Sequence, residues 1–430
     1  MRPLLTLALL ASCITLQACS RCSVVQARFA EVLRTELGQA GAGEQSDTGL
    51  TDHVRLVTTR DSIMDLAAPL LRRGWLRPLS AQRVSDAMSD TTLSVELVPR
   101  VTRLAVARAG REQAESRSVS ATSVGIPATL SIEVVAYIRV ESRESRGRLT
   151  TTAFTELGVR VEFAQEGWLI VDANDVTSAT PLFDLSSVDP LHRDQIGRLA
   201  GALYQELVAD ADGTIRLAQW STLTVAGRAL PLTPSSLSAL EDGSLHLGFV
   251  TPLRPNGAMA APRPNAHTPS SWWVHPDLPR AAVEHYSVTG ALPRRYNASG
   301  EADVLGSYAV TLGDIRVREE DLSQSVRVWC LEGARCTVEE LAFASDVALI
   351  GGAISLSDER SLRGESGSAV RLQQWLTATT HVIRDVLSPP EIRLQGGERL
   401  AFEPARLRIG PGSIRLGGTM TVMPTGLAVP

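Results

Sequence analysis

Near the end of the chain, Gly412 to Gly417 read GSIRLG, and far upstream Gly243 to Gly248 read GSLHLG. Each is a short apolar alternation bounded by Gly, the form of a strand between turns. Chance would leave the echo isolated, whereas a unit built twice would repeat its neighbours in the same order.

The neighbours repeat. LPLTPSSL precedes the first segment and LAFEPARL the second, with Pro234 nine residues before Gly243 and Pro404 eight before Gly412. Further upstream stand the strand-like triplets Ile215–Leu217 and Ile392–Leu394, both IRL, and before each a long helical pattern. The first, PLHRDQIGRLAGALYQELVAD, places Ile196, Leu199, Leu203 and Leu207 on one stripe, with Asp189 and Pro190 as cap and first-turn residue. The second, GSAVRLQQWLTATTHVIRDVLSPP, aligns Leu372, Trp375 or Leu376, Thr379, Ile383 and Val386 and stops at Pro389 and Pro390. The front halves agree too. DSIMDLAAPLLRRGWL from Asp61 and DLPRAAVEHYSVTGAL from Asp277 both carry Gly thirteen residues on (Gly74, Gly290) and Leu two further (Leu76, Leu292).

Between these landmarks the period is two. TLSVELVPRVTRLAVAR from Thr92, TLSIEVVAYIRV to Val140 and GVRVEF from Gly158 alternate apolar and polar; Ile132, Val134, Ala136, Ile138 and Val140 share a face and Glu133 and Arg139 the other. Such runs suit antiparallel sheet with one wet side. The expected fold class is α+β: two tandem repeats, each a curved antiparallel sheet wrapped around a long amphipathic helix. The expected division is 1–18 signal peptide, 19–50 N-terminal helix (VVQARFAEVLRTEL) and flexible linker (Gly38 to Gly49), 51–252 first repeat, 253–271 Pro-rich linker and 272–424 second repeat.

This order of elements resembles the tubular lipid-binding (TULIP) superfamily in its two-repeat arrangement, as in bactericidal/permeability-increasing protein, over about Asp52 to Val422. The resemblance implies a non-enzymatic protein that binds a lipid-like apolar ligand in an elongated cavity. The helix faces Ile196, Leu199, Leu203, Leu207, Trp375, Ile383 and Val386 are the candidate lining. The same periodicity is equally that of a filled core. The alternative reading is a structural or assembly lipoprotein that works through protein–protein contacts.

The bulk composition agrees. The 430 residues are 44% hydrophobic but only 4% aromatic, so interiors should be aliphatic. The net charge of −5 and the absence of any Lys among 42 basic residues argue against nucleic acid as partner and exclude Schiff-base and P-loop chemistry.

The N-terminus carries an address. Arg2 precedes the apolar run PLLTLALLASCITL, too short to span a bilayer, which closes on Leu16 to Cys19, LQAC. This resembles a bacterial lipobox, implying cleavage before Cys19, acylation of its sulfur and attachment to the membrane; Ser20 at the next position matches lipoproteins sent to the outer membrane, facing the periplasm. Of the remaining Cys, Cys330 and Cys336 flank the short turn LEGAR and in an oxidising compartment are expected to form a disulfide; a metal pair lacks neighbouring ligands. Cys22 is left over, free or paired between molecules.

No catalytic set emerges. The seven His are dispersed without HExxH spacing, GESGS at Gly364 is not a nucleophile elbow, and DADGT from Asp210 lacks the later ligands of a calcium loop. No metal, no cofactor and no enzyme activity are expected.

Overall fold

The alternating runs are strands, and their length forces them to bend. In the computed structural model the described residues are 22–36, 52–67, 76–84, 91–107, 125–142, 146–210, 213–220, 222–261, 268–318, 321–332, 336–356, 360–363, 372–410 and 412–423. The signal segment 1–18, Cys19 and the Gly38 to Gly49 linker lie outside them.

The first half of the chain opens with α1 (22–36), β1 (Val54–Thr58), α2 (Ile63–Leu66), β2 (Leu79–Val84) and β3 (Thr92–Val106). It continues through β4 (Ile126–Glu141), β5 (Arg146–Phe163), β6 (Trp168–Ser178) and the long helix α3 (Pro190–Asp210). It closes with β7 (Thr214–Gln219), the hairpin β8 (Thr222–Val225) and β9 (Arg228–Pro231), then β10 (Thr233–Ala239) and β11 (Leu245–Val250). The second half runs β12 (Ser270–Val274), α4 (Leu278–Val288), β13 (Arg295–Tyr296), β14 (Tyr308–Arg318), β15 (Asp321–Cys330) and β16 (Thr337–Ile350). It ends with β17 (Ala353–Leu356), β18 (Arg360–Arg363), α5 (Gln373–Leu387), β19 (Ile392–Leu394), β20 (Arg399–Gly410) and β21 (Ser413–Met423).

Strands β3, β4 and β5 have 15, 16 and 18 residues. Straight, they would run about 50–60 Å, against about 32 Å for the 21 residues of α3. Yet their inner faces are buried along nearly the whole length, from Ile126 to Ile138 on β4 and from Thr151 to Val161 on β5. The sheet therefore curls around its contents. Bulges help it bend: register shifts fall between Val101 and Arg103, Gly158 and Arg160, and Leu312 and Asp314.

Every paired strand is antiparallel to its neighbour. One thirteen-stranded sheet runs β10-β11-β1-β12-β21-β20-β19-β7-β6-β5-β4-β3-β2, and a six-stranded one is built on β13-β14-β15-β16-β17, with β18 on β16. The echo segments hold matching places in the large sheet. Leu56 of β1 stands opposite Leu247, Trp272 of β12 stands opposite Leu416, and Leu56 and Trp272 face each other where β1 meets β12. The two strands that precede the echoes are bulged at the same point, between Pro234 and Ser236 and between Pro404 and Arg406. The two IRL strands, β7 and β19, pair with each other.

Candidate functional site

The interior is apolar and continuous. Asp189 Oδ1 accepts the Leu191 N–H (3.0 Å), capping α3 as the sequence suggests, with Pro190 as first helical residue. Ile196, Leu203 and Leu207 are buried against the sheet, but the stripe is rotated from its expected course: Ala200 and Tyr204 share its centre and Leu199 lies half-buried on its flank. Tyr204 is admitted because its hydroxyl has a partner, Thr155 Oγ1 at 3.1 Å, which in turn donates to the Ala179 carbonyl. On α5, Trp375, Ile383 and Val386 are buried together with Leu376, Thr379, Val382 and Leu387. Helix α3 lies against β2 and β3, and α5 against α4 and β8. The candidate lining residues of both helices belong to one core that continues through the central strands.

Two indole nitrogens in that core, Nε1 of Trp220 and of Trp272, are buried with no acceptor among the described residues. Trp220 packs on Phe249, ring centres 5.5 Å apart, and Phe249 projects from the face of β11 that carries Leu247, opposite Leu56 and Trp272. Both donors thus sit where the two halves meet.

The opposite face of the same junction holds a polar cluster that separation in sequence hides. Asp52 Oδ1 accepts hydrogen bonds from Ser235 Oγ (2.6 Å) and Ser236 Oγ (2.8 Å), and Oδ2 accepts one from Arg55 Nε (2.6 Å). His246 Nε2 lies 3.4 Å from Oδ2, and its Nδ1 meets Ser238 Oγ at 3.0 Å. Burial pushes the Asp52 carboxyl up, but His246, the Arg55 guanidinium and Ser235 outweigh it and hold it well below the usual carboxylate range. Burial and the neighbouring His275 push His53 down to about 4, against the pull of Asp52. Hydrogen bonds from β1 and β10 hold the carboxylate, and His246 of β11 stands against it, so the cluster ties the three strands together. The Pro-rich passage joins in: Arg55 Nη1 donates to the Ala260 carbonyl, and Met259 packs on Val57 and Trp273.

The disulfide differs from the expectation. Cys22 is bonded to Cys336, and Cys330 is a free thiol. The register explains this. Cys330 stands opposite Thr337, so Cys336, one residue earlier, projects from the other face of the sheet. That face carries Ala309, Trp329 and Leu331, and α1 covers it through Phe29, whose ring lies 5.6 Å from that of Trp329. Gln26 donates to the Leu331 carbonyl (2.8 Å) and Glu36 pairs with Arg294 (2.8 Å). The signal was Trp329 itself, an aromatic on the strand face that alternation assigns to solvent. At the far end of α1 a cleft of about 510 Å³ opens, lined by Leu33, Val288, Leu292, Arg294, Arg295 and Val304 among others.

Among the described residues there is no cluster of metal-ligating side chains and no helix long and apolar enough to cross a membrane. No protein-family profile matches the chain, and no curated protein matches it. A crystal structure of lipopolysaccharide binding protein aligns with 87% of this chain and 100% of that chain, at 11% sequence identity and a TM-score of 0.44.

Proposed function

We propose that this chain is a non-enzymatic, acyl-anchored envelope lipoprotein, made of two copies of one sheet-plus-helix unit, that holds a lipid-like apolar ligand between its helices and the concave side of its sheets. The duplication is supported by the matched bulges at Pro234 and Pro404 and by the pairing of like strands, β1 with β12 and β7 with β19. The anchor rests on the LQAC sequence ending at Cys19.

The observation that carries the ligand is the interior. Helix α3 turns a largely aliphatic stripe toward the bent sheet, α5 buries its own stripe in the same core, and that core includes two indole N–H donors with no acceptor among the described residues. An aliphatic wall offers a polar ligand nothing, whereas each buried methylene of an acyl chain gains roughly 0.8 kcal/mol, so half a chain already supplies about 6 kcal/mol. A lipid carbonyl or carboxyl oxygen would supply the acceptor that Trp220 and Trp272 need; a buried donor left unmade costs about 1–3 kcal/mol.

A second reading, a structural or assembly lipoprotein, draws on the tight burial of the candidate lining: Ile196, Leu203, Leu207, Trp375, Ile383 and Val386 are at most 5% exposed. One experiment separates the two. The chain with Cys19→Ser, exported to a bacterial periplasm so that Cys22 can oxidise, is purified without detergent, extracted with organic solvent and analysed by mass spectrometry. Near-stoichiometric fatty acid or phospholipid, lost several-fold in folded Leu203→Gln and Ile383→Gln variants, is expected. A folded protein that is lipid-free and takes up no added lipid overturns the ligand reading in favour of assembly.

A further inference from the structure

We infer that the end of the sheet bearing the Cys336 loop and the turn at 303–306 rests on the lipid surface, with Val304 and Leu305 entering the same bilayer that holds the acylated Cys19. The inference depends on the acyl-anchor reading of LQAC and adds to it the orientation of the whole body.

Exposed apolar side chains lie toward both ends of α1: Val24 and Val338 stand by the disulfide, and Val304, next to Leu305, borders the cleft beside Leu33. Val304 and Leu305 are 86% and 83% exposed, Val24 66% and Val338 38%. Val24 follows Cys22 by two residues and Val338 follows its disulfide partner Cys336 by two. Leu331 ties the turn to the same place: its N–H donates to the Ser307 carbonyl (2.8 Å), and its carbonyl accepts from Gln26 of α1 (2.8 Å).

The turn holds its shape. Asp303 Oδ1 accepts the Leu305 N–H (2.9 Å), the Asp303 carbonyl accepts the Gly306 N–H (2.9 Å), and the Asp303 N–H donates to the Arg295 carbonyl (3.0 Å). Gly306 lies so close to Tyr296 that a Cβ there would sit 2.2 Å from its carbonyl oxygen. The backbone is pinned down while two adjacent apolar side chains face outward, an arrangement that water disfavours and a bilayer stabilises.

Chain length supplies the occupant. Cys19 and Cys22 are three Cα–Cα steps apart, so the acylated residue lies within about 11 Å of Cys22 in any conformation. Cys22 is in turn 4.9 Å (Cα–Cα) from Cys336. The disulfide and the docked α1 therefore leave no long tether between the membrane and the second half of the chain; the Gly38 to Gly49 stretch joins α1 to β1 instead of spacing the body from the lipid. Glu301 and Asp303 immediately precede the exposed pair, so the contact is apolar and not an attraction to anionic lipid.

The test uses the full acylated lipoprotein with Cys330→Ser, carrying Leu305→Cys labelled with an environment-sensitive fluorophore, in vesicles of zwitterionic phosphatidylcholine. A twin labelled through Leu182→Cys, 92% exposed in the wild type and in the other half, is the comparison. At position 305 the emission should shift to the blue and be quenched several-fold more by spin-labelled lipid than at 182, with little change between low and high salt. Acylated protein that floats with the vesicles but has position 305 in water overturns this inference alone. An N-terminal peptide without acyl chains, read by mass, overturns both it and the anchor reading. Shielding of 305 without lipid, accompanied by a dimer in solution, assigns the patch to a second copy and overturns the inference as well.

Discussion

Asp52 shows how one buried carboxylate couples distant residues. Its partner Arg55 has a side chain only 9% exposed, so Asp52→Asn would strand a buried guanidinium and is expected to destabilise the protein by about 3–5 kcal/mol in denaturant unfolding. The pH dependence follows from direction. The folded state holds His53 neutral down to about 4 while the unfolded chain takes up its proton near 6.5. Between those values the unfolded state binds more protons, so stability is full above about 6.5 and falls as the pH drops toward 4, by about 3 kcal/mol for this group. His275, also lowered by burial, acts in the same sense. Asp52, held low, keeps its contribution until the pH falls below the usual carboxylate range. Unfolding midpoints at pH 7.5, 5.5 and 4.5 should show this slope, and His53→Gln should flatten it. Two glycines at matching places in the echoes make a sharper contrast. A Cβ on Gly248 would meet Ser236 Oγ at 2.1 Å and Asp52 Oδ1 at 2.3 Å, whereas one on Gly417 meets Thr268 side-chain atoms at 2.9 Å. Gly248→Ala is expected to lower the melting temperature clearly more than Gly417→Ala, because its clash is deeper and falls on the Asp52 carboxylate that holds the cluster together.

Among the elements, α1 depends most on a partner. Its sequence reads as an amphipathic helix, and a single helix of this length is marginal in water, so its order comes from docking. Phe29 against Trp329 and the Cys22–Cys336 bond fix it to the outer face of β14 and β15. Phe29→Ala should therefore speed amide exchange across 22–36 and leave exchange in α3 unchanged. Reduction of the disulfide should do the same and lower overall stability by about 4–6 kcal/mol on chain-entropy grounds, given a closed loop of 314 residues. Exchange that stayed slow in both cases would place the docking energy elsewhere. The stripes of α3 and α5 were legible from a 3.6-residue period because they are local. The small rotation that favours Ala200 and Tyr204 over Leu199 was not, since it follows from Thr155 on a strand far away.

Over the whole molecule, strands of the two halves interleave. β12, β21, β20 and β19 stand between β1 and β7, so each half completes the other's sheet. Residues 52–252 alone would expose fresh edges on both β1 and β7 and deprive Leu56 of Trp272. That fragment is expected to be unfolded or aggregated by circular dichroism and size-exclusion chromatography, unlike a domain on a flexible linker. The packing of Met259 on Val57 and Trp273 agrees, for it turns part of the Pro-rich passage into a strap across the centre. Short-range period and repetition are legible in the amino-acid order alone. The alternating strands from Thr92 to Phe163, the two long helices with their caps and stops, and the paired landmarks around GSLHLG and GSIRLG are of this kind, because side-chain alternation and helical stripes are written within a few residues. Folding in three dimensions set which Cys meets Cys22, brought Asp52 to Arg55, Ser235, Ser236 and His246, and laid α1 on the outer face of the second half. Those contacts join residues up to 314 apart across faces whose orientation is set by strand register, and register exists only once the strands have paired.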